Sequence, residues 1–87
     1  MHEDPFKNRN NFLKARAELD AGDYIRLMEK RSKSFEFQPS GEVILSVEES
    51  EEVLANSMCN LNAKEIPEYL INLAIAVKQI LLNKDLK

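Results

Sequence analysis

Tryptophan is missing from this sequence, and histidine and cysteine occur once each, as His2 and Cys59. A lone cysteine excludes an internal disulfide, the usual staple of small domains in oxidising compartments. One histidine and one cysteine cannot assemble a structural zinc site. A Ser-His-Asp arrangement needs a base placed beside its nucleophile, and His2, two residues from the start, reads as a frayed surface residue. Cys59 reads as a buried, inert thiol, the ordinary state of free cysteine. Glycine occurs only as Gly22 and Gly41, too few for a phosphate-cradling loop. No apolar run is long. Tyr69 to Val77 is the longest and is broken by Asn72, well short of the roughly 20 residues that span a bilayer. Met1 to Asn11 is polar and lacks the apolar core of a secretory signal. Together these absences predict a cytoplasmic chain with no enzyme site, no cofactor and no metal.

What remains is enough for one small domain covering residues 1–87. Hydrophobic residues make up 44% of the chain and charged residues 31%, a globular composition. A chain of this length buries roughly 60% of the surface its unfolded form exposes. That supports a core but not a core plus a deep catalytic cleft. With six aromatic residues, valine, isoleucine and leucine must fill most of it.

Positive charge is also absent over a long stretch. Residues 34–63 contain no lysine or arginine, yet they hold Glu36, Glu42, Glu48, Glu49, Glu51 and Glu52. Residues 1–33 carry eight bases against six acids. This asymmetry can steer a charged partner. The run Glu48–Glu52 lacks the Asp/Asn-rich loop and glycine of a calcium site.

The local signals predict an α+β fold: two short N-terminal helices, a β-hairpin, then two helices, the last the longest and most apolar. Asp4-Pro5 reads as a helix start. Gly22 reads as a helix stop, with Asp23 capping a second short helix. Phe35 and Phe37 alternate with Ser34, Glu36 and Gln38, and after Pro39-Ser40-Gly41 Val43, Leu45 and Val47 alternate with Ile44 and Ser46. Such a pattern predicts a hairpin with those five residues on one face and Ile44 on the other. Ser46 and Glu49 fit a capping box, which places the acidic run at a helix N-terminus, where the macrodipole favours it. Asn62 and Glu65 repeat the signature. Pro67, costly deep inside a helix, predicts that the regular last helix starts near it.

In that last helix, at about 100° per residue, Glu68, Asn72, Gln79 and Asn83 share a narrow polar sector. Tyr69, Leu70, Leu73, Ala74, Ala76, Val77, Ile80 and Leu81 make a broad core face. Ile71, Ile75 and Leu82 belong to neither group. They form a separate stripe that either packs on the first helix or serves a homodimer or a partner groove.

The expected function is a small non-enzymatic regulator or inhibitor that binds a protein with a basic surface through its own acidic surface. Bacterial immunity proteins, antitoxins and phage-encoded inhibitors share this size and charge profile, which is analogy only. Two alternatives stand beside it. One is a nucleic-acid-binding regulator using the basic N-terminal helices, with Lys30, Arg31 and Lys33 as the most suggestive cluster and a loose helix-turn-helix outline around Gly22. The acidic total and the interleaved acids weigh against it. The other is a structural or assembly subunit.

Overall fold

The computed structural model describes residues 5–57 and 61–85, with side chains described over 11–57 and 61–84. Three helices and a small antiparallel sheet follow in the order α1 (Pro5–Lys30), β1 (Glu36–Phe37), β2 (Val43–Ile44), α2 (Val47–Asn56) and α3 (Glu65–Asp85). The fold is mostly helical. Helices α1 and α3 form its spine, α2 packs on α1, and the hairpin meets α3 through β2. The described residues extend over 46 × 27 × 23 Å.

The two expected N-terminal helices are one continuous helix of 26 residues, longer than α3 with 21. Gly22 does not stop it, because the buried face runs straight through. Leu13, Ala17, Ala21, Tyr24, Ile25 and Met28 are all buried and recur at helical spacing on both sides of the glycine. Burial of that face outweighs the roughly 1 kcal/mol that glycine costs inside a helix. The helix-turn-helix outline that depended on a break at Gly22 is therefore gone. The actual stop lies ten residues later. Ser32 takes the left-handed conformation (φ 54°), its N–H donates to Glu29 O at 3.0 Å, and the Lys33 N–H donates to Met28 O at 2.9 Å. This pair of bonds is the Schellman motif, with serine at the position glycine usually fills.

The hairpin is shorter than its alternation suggests. Phe37 pairs with Val43 and Glu36 with Ile44. Gly41 turns the chain at φ 93°, and the Gln38 N–H donates to Glu42 O at 2.7 Å. The expected apolar face is only partly realised. Val43 is buried and Phe35 and Leu45 are half-buried, but Phe37 is 52% exposed. Strand β2 lies against α3, and β1 forms the outer edge of the hairpin. Val47 is not in the strand at all. It is the first residue of α2 and is 71% exposed.

The expected capping box at Ser46 is rewired. The Ser46 N–H donates to the Tyr24 hydroxyl at 2.7 Å rather than to Glu49, and the Ser46 hydroxyl donates to the Glu49 carboxylate. The second box is half made: the Asn62 N–H donates to Glu65 Oε1 at 2.9 Å. Helix α3 starts at Glu65, and Pro67 stands in its first turn. Its missing N–H there is one that no intrahelical carbonyl would receive.

The core is one cluster. Helix α3 contributes Tyr69, Leu73, Ala76 and Val77, β2 contributes Val43 and α2 contributes Val53, together with the buried face of α1. Leu70, Ala74, Ile80 and Leu81 are half-buried beside them. This is the core face expected of α3.

Candidate interaction surface

The Schellman turn after α1 aims two bases at the N-terminus of α2. Arg31 bonds Glu49 Oε2 at 2.6 Å and also Glu52. Lys33 bonds Glu49 Oε1 at 3.0 Å and Glu48 Oε2 at 3.2 Å. Glu49 is the hub and is fully buried. The Ser46 hydroxyl and the Arg31 guanidinium, with Lys33 behind them, hold its carboxyl down from the ordinary 4.5 to about 2. The same bonds raise Arg31 and Lys33, Glu49 being the larger cause for each. Burial pushes the Tyr24 hydroxyl up.

This clasp redraws the charged surface. Glu49 is not a surface anion, because it lies under the clasp. Glu48 and Glu52 are engaged by Lys33 and Arg31 of the turn after α1. Glu36, Glu42 and Glu51 are exposed and have no ion pair among the described residues. Of the suggested phosphate-binding cluster, Arg31 and Lys33 are committed to carboxylates, and only Lys30 stands clear of the clasp. The sequence does hold a signal for this arrangement. Bases at a helix C-terminus and acids at the next helix N-terminus each suit the local dipole, and a hairpin that returns the chain brings the two ends together.

A second polar cluster was not expected. Asp20 is 1% exposed and lies between α1 and α3. It accepts from the Tyr69 hydroxyl and from Arg16 Nη2 at 3.1 Å. The i,i+4 pairing of Arg16 with Asp20 is visible in the sequence, but its burial under Tyr69 is not. This cluster welds the two long helices.

The open features are apolar. Ile71 is 61% exposed, Ile75 54% and Leu82 47%, so the α3 stripe faces outward instead of packing on α1. A groove of about 450 Å³ runs between α3 and the hairpin. Its walls include Ile44, Leu45, Leu70, Ile71 and Ile75, with Glu42 and Lys78 also lining it. A second groove of about 370 Å³ shares Leu45 and Leu70 with the first and continues past Val47, Leu54 and Ile66, with Glu51 along it. Both are shallow and open. Sequence periodicity found the α3 half of this face. It missed Val47, which reads as a strand residue until α2 is seen to begin there.

Among the described residues, no three His, Cys, Asp or Glu side chains are grouped to hold a metal ion, and no helix is long and apolar enough to cross a membrane. His2 and Cys59 lie outside the described residues. Comparison of the chain with protein-family models, with curated proteins and with solved structures gives no match.

Proposed function

We propose that this chain is a small non-enzymatic protein-binding protein, a regulator or inhibitor, whose contact surface is the apolar face shared by the hairpin, the start of α2 and the stripe on α3. One observation carries the reading. Ile44, Val47, Ile71 and Ile75 are 41%, 71%, 61% and 54% exposed around two adjoining grooves. Monomeric soluble proteins rarely leave contiguous apolar patches beyond a few hundred Å² without using them. The acidic character expected of the contact surface shifts with it. Glu42 and Glu51 border the grooves, and neither is held by Arg31 or Lys33. They suit a target whose apolar strip is edged by bases, where opposite charge speeds encounter and rejects wrong partners.

The test is co-purification from the chain's native cell, comparing the tagged chain with the double variant Ile71→Ser and Ile75→Ser. Both side chains are more than half exposed, so the variant is expected to fold, with a melting temperature lowered by no more than about 8 °C. Recovery of its polypeptide partners, further copies of the chain included, is expected to fall at least ten-fold. Equal recovery with both proteins would remove this face from the function.

A further inference from the structure

We infer that the outer edge of β1 takes an extended peptide segment of a protein partner, one that alternates basic and apolar residues, as a third strand of the hairpin sheet. The inference rests on the protein-binding reading above and names the backbone form and the charge of the partner segment.

The register fixes which groups point outward. The Gln38 N–H donates to Glu42 O, so Gln38 and Glu42 form a hydrogen-bonded pair. Such pairs alternate with non-hydrogen-bonded ones along an antiparallel ladder. Phe37 and Val43, the next pair, are therefore of the second kind. The Phe37 N–H and C=O turn away from β2, toward the outer edge. Among the described residues β1 has no neighbouring strand on that side, and neither group has a hydrogen-bond partner. A donor and an acceptor side by side on an extended strand are matched by the N–H and C=O of another extended strand, the recognition called β-augmentation.

The side chains then select the sequence class. Successive residues of a strand face opposite sides of the sheet. Phe37 shares a side with Val43 and is 52% exposed, so it favours an apolar residue beside it. Glu36 shares the other side with Ile44, is exposed, and has no ion pair among the described residues. Opposite charges side by side on neighbouring strands stabilise the pair and like charges oppose it, so Glu36 favours a base. The hairpin supplies none, because residues 34–63 contain no lysine or arginine. Lys78 of α3 reaches the hairpin at the turn, beside Gly41. An alternating basic and apolar segment satisfies both sides of β1 at once. Pro39, with no N–H to offer, ends the edge on the turn side. The edge is short, so binding is weak, but a third strand turns a two-stranded ribbon, marginal by itself, into a sheet.

The experiment is an NMR titration of the full chain with the acetylated and amidated pentapeptide Lys-Val-Lys-Val-Lys, up to about 2 mM. Exchange of the Phe37 amide with water is expected to slow at least two-fold, and the pentapeptide Glu-Val-Glu-Val-Glu is expected to leave it unchanged. Phe37→Pro and Phe37→Val both remove the ring, but only the proline removes the outward N–H, and the edge of a sheet tolerates it there. Followed by the shifts of the Glu36 and Gln38 amides, the proline variant is expected to bind the basic peptide at least three-fold more weakly than the valine variant. Equal binding by the two variants, or an acidic peptide that binds as well as the basic one, overturns the proposal. Protection of Phe37 that grows with chain concentration in the absence of peptide assigns the edge to a second copy and overturns it too. If the peptide leaves Phe37 unaffected while the Ile71→Ser and Ile75→Ser variant still loses its co-purifying partners, the protein-binding reading stands and the edge falls. Slowed exchange at Phe37 with unchanged co-purification does the reverse.

Discussion

Replacing Asp20 with alanine is expected to lower folding stability by about 3 kcal/mol. The carboxylate is 1% exposed and receives the hydroxyl of Tyr69, itself fully buried, together with the guanidinium of Arg16. Alanine removes the buried carboxylate that both groups reach and opens a gap between α1 and α3. Arg16 keeps some access to water, with 30% of its side chain exposed, and can turn outward. Tyr69 is fully buried and has no such route to water. For a chain of this length the loss corresponds to a fall of roughly 12–20 °C in melting temperature. Tyr69→Phe removes only one donor and leaves the carboxylate paired with Arg16, so it is expected to cost about 1 kcal/mol. Urea unfolding of the two variants at pH 7 checks the ordering. An Asp20→Ala protein within 1 kcal/mol of wild type would mean that water replaces the carboxylate and that the helix pair does not depend on it.

The second large effect is expected at Glu49. Glu49→Gln keeps the shape of the side chain but removes the charge that Arg31, Lys33 and Ser46 converge on. At pH 7 the variant is expected to melt roughly 8 °C below wild type. The pH dependence separates this cause from simple repacking. The folded-state carboxyl sits at about 2, against 4.5 ordinarily. A depressed carboxyl contributes stability that is fully present above its unfolded value and is lost as pH falls toward its folded value. Wild type should therefore lose its advantage between about pH 4.5 and pH 2. Other carboxylates titrate in both proteins, so the informative quantity is the difference between the two melting curves. It is expected to be constant from pH 7 to about 5 and to close toward zero by pH 2. A difference that persists unchanged at pH 2 would show that the glutamine disturbs packing rather than charge.

Much of the fold is legible from the sequence where one physical signal dominates. The hairpin turn, the helix start near Ser46 and the core face of α3 rest on strong local patterns and lie where those patterns put them. The misreadings share one cause, which is long-range burial deciding between local options. Gly22 carries a stop signal, but Tyr24, Ile25 and Met28 extend a face that α3 covers, so the helix continues to Ser32. Serine carries a weak local signal for a left-handed stop, and the stop is enforced by the clasp beyond it. Glu48, Glu49 and Glu52 read as a free acidic surface because the bases that hold them lie more than a dozen residues earlier. Val47 continues an alternation that ends at Ile44, because the chain bends into α2 as soon as Tyr24 captures the Ser46 N–H. The exposed stripe was separable from the core face by angle alone. That it stays uncovered follows from the path of α1, which no periodicity encodes.

The most direct measurement is site-specific photo-crosslinking in the living cell. A photoreactive residue placed at Ile71 or Ile75, on the proposed face, is compared with one at Arg26, an exposed position on α1 outside both grooves. Discrete polypeptide adducts are expected from positions 71 and 75. Position 26 is expected to give none. Adducts from position 26 with none from 71 or 75 would contradict the assignment of this face as the protein's contact surface.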